Sequence, residues 1–225
     1  MNERHLLEVI ACSVEDAIEA EAGGAGRIEL VRELERGGMT PDLSLVREVL
    51  RAVSIPVRVM VRESESHEVS DDAIKSRLLE AARILGSLPI DGLVLGFLRG
   101  GRLDLEFTGE MLACAPRLKV TFHRAFEDAE DPFRTINDLK TMTQVDRILT
   151  GGGAERLRDL SRWARPEIEI LAGSGVDGPA IGRLLQAGVR EFHVGRAARE
   201  PAEVHGRVTR ERVAELRNWI YRPIN

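Results

Sequence analysis

The stretch VTFHRAF, residues 120–126, ends an apolar run with two side chains that can carry positive charge, His123 and Arg124. Because the ordinary pKa of histidine is about 6.5, the imidazole suits general acid–base catalysis near neutral pH. An adjacent arginine can bind the carboxylate or phosphate of a ligand through paired hydrogen bonds. The two residues together predict proton-transfer chemistry on a small anionic molecule.

Further ionisable side chains lie on other short β-rich runs, where a parallel sheet normally carries apolar residues. Glu8 lies within LLEVI, Glu29 within RIELV and His193 within EFHV, while Arg62 directly follows VRVMV. These positions lie at or near the carboxyl ends of their runs, where barrel active sites are built. We therefore expect them to share a site with the histidine and arginine of VTFHRAF. The catalytic candidates are Glu8, Glu29, His123, Arg124 and His193.

Glycine-containing segments follow the last three β-rich runs: TGGGAER at 150–156, AGSGVDG at 172–178 and VGRAARE at 194–200. Glycines let backbone N–H groups approach an anion, and the N-terminus of a following helix favours negative charge. These segments predict an anion-binding pocket, with ordinary tight turns as the alternative interpretation. The anion-binding candidates are Arg62, Gly151, Gly152, Gly173 and Gly175.

Other polar residues have a structural interpretation. Side chains alternate between two faces of a strand, and the polar faces are predicted to point into a barrel, where charges must pair. An internal ion-pair network without chemistry is favoured for the residues that come early in their strands, which are Arg27, Arg58, Lys119 and Glu191. Cys12 and Cys114 form neither a disulfide framework nor a CxxC pair, and His67 is predicted to be solvated.

The elements that position these residues alternate in type along the chain. Segments with helical spacing separate the β-rich runs and begin at capping residues such as Ser13, Asp131 and Asp177. Eight such units predict a single compact (β/α)8 TIM barrel over residues 1–225 with a C-terminal helix at 209–220; a doubly wound open sheet is the alternative. The predicted strands are Leu6–Ile10, Arg27–Val31, Val57–Val61, Gly92–Leu95, Leu118–Phe122, Val145–Leu149, Ile168–Leu171 and Glu191–Val194.

Composition excludes several classes of function. The 225 residues carry a net charge of -5, which gives no overall attraction to nucleic acid or to an anionic membrane. No run approaches the roughly 20 apolar residues of a membrane helix, and no signal peptide is recognisable. We therefore expect a cytoplasmic protein whose partner is a small anionic molecule or a metal ion.

Specific motifs resemble the CutC family of copper homeostasis proteins. The matching stretches include SVEDAIEAEAGGAGRIEL at 13–30, GGMTPDLSLV at 37–46, IPVRVMVR at 55–62, VTFHRAFED at 120–128 and RILTGGG at 147–153. The resemblance implies a cytoplasmic (β/α)8 barrel, commonly a homo-oligomer, that handles and binds copper. It carries over functional positions at Glu8, Glu29, Arg62, His123, Arg124 and His193.

The chain departs from the family pattern in two places. Where members typically carry RPRGGDF after the third strand, Arg62 is followed here by ESESHEVSDD. Where animal members place cysteines, this chain has Ile10, Val31 and Val194. Since Cu(I) prefers thiolate ligands, these substitutions argue against a Cu(I) site of the animal kind.

Two functions are therefore open from the sequence. One is copper binding and handling, with metal ligands that the residues alone do not assign. The other is an isomerase, aldolase or lyase acting on a small anionic or phosphorylated metabolite at the carboxyl face of the barrel. In this second hypothesis His123 is a general acid or base, and Arg62 and Arg124 bind the anion.

Overall fold

Eight parallel strands close into a barrel in the computed structural model, which describes residues 5–222. The first strand pairs with the eighth as well as with the second, so the sheet has no edge. This closure confirms the predicted barrel and excludes the open-sheet alternative. The strands are β1 (Leu6–Ala11), β2 (Arg27–Leu30), β3 (Val57–Met60), β4 (Gly92–Leu95), β5 (Lys119–Phe122), β6 (Val145–Thr150), β7 (Glu169–Ala172) and β8 (Glu191–Val194).

Eight α-helices surround these strands within the described residues. Most begin where a short polar side chain accepts a hydrogen bond from the first turn; for example, Ser13 Oγ accepts from the N–H of Asp16 at 3.1 Å. Pro41 lies before the second helix, because Asp42 is the N-cap of that helix. The helices are α1 (Val14–Ala22), α2 (Leu43–Ala52), α3 (Asp72–Leu85), α4 (Leu105–Cys114), α5 (Pro132–Lys140), α6 (Ala154–Ala164), α7 (Gly178–Gln186) and α8 (Arg210–Ile220).

Short antiparallel hairpins supplement the barrel at residues 98–103 and 199–208. The second hairpin is fixed by Arg199, a buried residue whose guanidinium donates to Asp16 Oδ2 at 2.9 Å and to the carbonyl of Ile10 at 3.1 Å. It therefore ties the chain after β8 to the top of β1. None of the helices in residues 5–222 has the length and apolarity needed to cross a bilayer.

The main apolar core lies between the strands and the helices. Val9, Ile28 and Val59 are fully buried there, and Val46 and Val49 cover them from α2. This is the outward set of the predicted two-residue alternation. Burial of these faces leaves the intervening side chains to point into the barrel.

The amino-terminal half of the barrel interior is filled by an ion-pair network. Arg58, of which only 1% is exposed, donates to Asp146 at 2.7 and 2.8 Å, to Asp91 at 2.8 Å and to Thr121 Oγ1 at 2.7 Å. Arg147 extends the network by donating to both carboxylate oxygens of Glu191, at 2.6 and 2.8 Å. The predicted ion pairing of these early-strand charges is therefore present at Arg58 and Glu191.

Lys119 departs from the expected interior position. It is exposed, and its Nζ reaches the carbonyl of Thr143 at 3.3 Å. Because Lys119 is the first residue of β5, its long side chain can leave the barrel at the amino end and stay hydrated.

Replacing Arg58 tests the network. We expect Arg58→Ala to lower the free energy of unfolding by about 3–5 kcal/mol, because it leaves two aspartates partly buried without their counter-ion. Urea denaturation followed by circular dichroism measures the change. Arg102→Ala, at an exposed arginine 3.8 Å from its acidic partner, is the control and should change stability by less than about 0.5 kcal/mol. A loss below about 1 kcal/mol for Arg58→Ala would contradict this role.

Candidate functional site

A cavity of about 840 Å³ opens at the carboxyl ends of the strands. Its floor contains Glu29 and His193, and its walls include Arg62, His67 and His123. Each of these residues lies on a strand or on the loop that follows one, so the closed barrel brings them together. The volume is within the range of small-molecule sites in proteins.

A buried centre of two carboxylates and one imidazole lies at the cavity floor; we call Glu8, Glu29 and His193 the carboxylate–imidazole centre. Its position follows from strand register, because Glu8 on β1 is directly opposite His193 on β8. His193 Nδ1 is 2.7 Å from Glu8 Oε1 and 3.3 Å from Glu29 Oε2. One potential ligand atom from each of the three residues lies within 4.8 Å of the others. The structure therefore brings together three of the predicted catalytic residues.

Arg27 completes the charge balance of the centre. Its Nε donates to Glu8 Oε2 at 2.5 Å. Burial alone would raise the pKa of Glu8, but Arg27 and then His193 outweigh it and hold that pKa far below its ordinary value. Two carboxylates therefore face one permanent cation, and one further positive charge is needed for neutrality.

Near neutral pH, a proton held by Glu29 or by His193 supplies that charge. Burial raises the pKa of Glu29 to about 7. The positive charge of His193 acts in the opposite direction but is too weak to cancel the effect of burial. Burial acts oppositely on His193, but the charges of Glu29 and Glu8 prevail and raise its pKa. Glu29 Oε2 has no hydrogen-bond partner among the described residues. This oxygen is thus a buried acceptor available to a proton or to a metal ion.

His123 lies apart from the centre and beside a second histidine, His67. The two ring centroids are 5.0 Å apart, and both rings line the cavity. His67 was predicted to be solvated; instead it is mostly buried, and its Nδ1 lies 2.6 Å from Asp128 Oδ2. The pairing arises because the loop after β3 folds across the short helix at 124–128 that follows β5.

The predicted arginines contribute differently to the cavity. Arg62 is half-buried, and its guanidinium donates to three backbone carbonyl groups, those of Gly37, Ser64 and Glu65. Arg124 is largely exposed and donates to Glu127 Oε2 at 2.9 and 3.2 Å. Arg62 is therefore the better fixed of the two cationic groups at the mouth.

An internal carboxylate occupies part of the predicted anion-binding pocket. Glu127 Oε1 accepts from the N–H of Gly151 at 2.8 Å and from Ser174 Oγ at 3.0 Å. The N–H of Gly173 is used by the sheet, since it donates to the carbonyl of Thr150. Of the four candidate glycines, Gly175 lines the cavity, whereas Gly151, Gly152 and Gly173 are not among its lining residues.

The cysteines do not form a thiolate site. Cys12 Sγ is 3.5 Å from Arg199 Nη2, and burial raises the pKa of its thiol to about 11. Cys114 lies on α4, outside the barrel, with its sulfur 3.9 Å from Arg83. Ile10 and Val31 line the cavity, so hydrocarbon is present at two of the three positions where the family resemblance implies cysteines in animal members.

Comparison with known proteins identifies the relatives of this chain. A sequence model described as the CutC family matches residues 5–198. The copper homeostasis protein cutC homologs of Mus musculus and Homo sapiens are 36% and 35% identical over 197 residues, which is 84% of this chain and 72% of each relative. The crystal structure of a CutC protein from Streptococcus agalactiae superposes with a TM-score of 0.79 and 26% identity, over 85% of this chain and 98% of that one.

The protonation of Glu29 should make stability depend on pH. Because its pKa is raised from 4.5 to about 7, the folded protein holds a proton that the unfolded chain has lost between these values. The free energy of unfolding of the metal-free protein should therefore fall as pH rises from about 4.5 to about 7 and then level off, with a loss of about 2 kcal/mol between pH 5.5 and 8. His193, whose pKa is also raised, acts in the same direction.

Glu29→Gln removes the titrating group and should flatten this pH dependence, whereas the control Glu110→Gln, at an exposed position on α4, should preserve it. Urea titrations at pH 5.5 and 8 in the presence of a chelator provide the measurement. An identical change in the free energy of unfolding between pH 5.5 and 8 in Glu29→Gln and in the unmodified protein would show that Glu29 is ionised in the folded protein at both pH values.

Proposed function

The chain belongs to the CutC family, and we propose from this premise that it takes part in copper homeostasis by binding a copper ion at the carboxylate–imidazole centre. The proposal rests on one observation above others. Among the described residues, Glu29 Oε2 is buried without a hydrogen bond, with His193 Nδ1 at 3.3 Å, and Glu8, Glu29 and His193 offer ligand atoms within 4.8 Å of one another. A buried acceptor left unpaired costs about 1–3 kcal/mol, and a bound cation would remove that cost.

The donor atoms indicate which oxidation state fits. Imidazole nitrogen and carboxylate oxygen suit Cu(II), whereas Cu(I) favours thiolate and thioether sulfur. The centre offers two carboxylates and one imidazole, and the cavity wall has hydrocarbon side chains, Ile10 and Val31, at two positions where animal members are expected to carry cysteines. We therefore expect Cu(II) to bind here more tightly than Cu(I).

Access and charge also favour an ion at this position. Glu29 and His193 line an open cavity, so an ion can enter from the carboxyl face. Arg27 neutralises only one of the two carboxylates, which leaves net negative charge when the shared proton departs. In this proposal the ion is the cargo of the protein, and the carboxylate–imidazole centre at the cavity floor binds it.

Copper titration of the purified protein is the direct test. We expect one Cu(II) per chain, and we expect Glu29→Gln and His193→Asn each to weaken binding by more than about tenfold because each removes a ligand. Isothermal titration calorimetry from a glycine-buffered Cu(II) solution gives the affinity, and a matched titration with Cu(I) under reducing conditions gives the comparison.

The exposed Glu110→Gln should bind copper like the unmodified protein. Electron paramagnetic resonance of the Cu(II) form should contain the coupling of one imidazole nitrogen, lost in His193→Asn. Affinity weaker than about micromolar for both oxidation states, or equal affinity in all variants, would remove this proposal.

A second candidate function is the binding and conversion of a small anionic molecule in the same cavity. The observation that favours it is the cavity itself, whose volume exceeds what an ion needs and whose wall carries the fixed guanidinium of Arg62. Its three backbone contacts use three of the five N–H groups of arginine, so two stay available to a carboxylate or phosphate.

The internal carboxylate of Glu127 should oppose phosphate. We expect Glu127→Ala to bind inorganic phosphate about three- to tenfold more tightly than the unmodified protein, because the change frees the Gly151 N–H, Ser174 Oγ and Arg124. Phosphate titration followed by ³¹P NMR measures the affinity, with Glu110→Gln as the control. Unchanged affinity would exclude this part of the cavity as an anion site.

A further inference from the structure

We propose that His67 and His123 form a catalytic pair that moves a proton on a small 2-oxo acid bound in the cavity. This inference rests on the second function proposed above, the binding of a small anion, and assigns its chemistry to named atoms. His67 acts as the base, His123 as the hydrogen-bond donor, and Asp128 positions His67.

His123 is held as a neutral donor. Its Nδ1 accepts the N–H of Ala125 at 3.1 Å, so the proton of the neutral ring must be on Nε2. Gly96 packs against the same ring edge, where an added Cβ would come within 2.6 Å of Nδ1. The Nδ1 edge is therefore closed to ligands, which leaves Nε2–H as the group that can donate to one. Burial, followed by repulsion from a protonated His67 and from Arg62, lowers the pKa of His123 well below its ordinary value and keeps the ring neutral.

His67 is held in the complementary state. Its Nδ1 lies 2.6 Å from Asp128 Oδ2, and an ionised carboxylate can only accept, so Nδ1 carries the proton. The Nε2 lone pair is then available to take up a proton, in the arrangement by which a carboxylate orients a histidine base. Burial lowers the pKa of His67 despite the hydrogen bond to Asp128, so the ring is an unprotonated base near neutral pH.

The two nitrogens match a carbonyl group and the carbon next to it. The ring centroids are 5.0 Å apart and both rings line the cavity, so one small ligand can contact both. Arg62 lines the same cavity and retains two N–H groups, which favours a ligand that also carries a carboxylate. A 2-oxo acid with hydrogen on its third carbon has all three features.

The step balances without another reactant. His67 Nε2 removes a proton from carbon 3, and the electrons of the broken C–H bond form a double bond between carbons 2 and 3. The carbonyl π electrons move onto the oxygen, where the His123 Nε2–H stabilises the developing negative charge by hydrogen bonding. Return of the proton from His67 regenerates the 2-oxo acid, so the measurable result in D₂O is hydrogen–deuterium exchange at carbon 3.

Proton NMR of 2-oxobutyrate in D₂O tests the proposal with the 225-residue protein. The unmodified protein should accelerate loss of the carbon 3 signal over buffer. His67→Gln and His123→Gln should each slow this exchange by about 100-fold or more. Asp128→Asn, at a carboxylate whose side chain is 64% exposed and whose change should leave the fold intact, should reduce the exchange rate at saturating 2-oxobutyrate by about tenfold without weakening its binding. Asp128→Glu should restore part of the rate.

Binding is measured separately, by saturation-transfer NMR of the same compound, so that two failures can be told apart. Binding without accelerated exchange would overturn the catalytic pair and leave the anion-binding function intact; absence of binding would overturn both. Asp159→Asn, at an exposed position on α6, is the matched control and should exchange at the unmodified rate. Equal rates in Asp128→Asn and Asp159→Asn would remove the positioning role of Asp128.

Discussion

The pairing of β1 with β8 is the contact on which the candidate site depends. It closes the barrel, and its register places Glu8 opposite His193 inside a space that water cannot fully reach. A charged group in such a position must be neutralised by a neighbour. Arg27 neutralises Glu8, which leaves a second carboxylate, Glu29, with one oxygen that has no hydrogen bond among the described residues. The chemistry of the floor follows from this imbalance of one charge.

The interior of the barrel is divided between stability and function. In the amino-terminal half, Arg58 and Arg147 satisfy the carboxylates around them, so few donors or acceptors are left for a ligand. In the carboxyl-terminal half, Glu29 Oε2 has no hydrogen bond among the described residues, and two histidine rings whose Nδ1 atoms are already occupied line the cavity. The ion-pair network in the amino-terminal half therefore supports the site rigidly, while the groups above it at the cavity stay available to a ligand.

The two-residue period of the strands explains how much of this could be predicted from sequence. Glu8, Glu29 and His193 interrupt apolar runs, and once eight runs are recognised, the barrel must bring their carboxyl ends together. The helix caps and the barrel closure followed from equally local signals. His67 and Glu127 could not be found in this way, because neither lies on a strand with a two-residue period. His67 contacts Asp128, and Glu127 contacts Gly151 and Ser174, all more than 20 residues away in sequence. The glycine-rich loops were expected to bind an external anion, but a carboxylate of the same chain already accepts from one of their N–H groups. The residue types predicted that an anion accepts hydrogen bonds from these loops, but they did not indicate that the anion would be a side chain of the same protein.

The location of copper tests the central claim most directly. We expect crystals grown with one equivalent of Cu(II) to give an anomalous difference peak at the copper absorption edge between Glu8, Glu29 and His193. The same peak should be lost in crystals of Glu29→Gln. A peak at Cys12, Cys114 or the His67–His123 pair, or no ordered copper, would contradict the proposal that the buried charge imbalance at the barrel floor is the copper site.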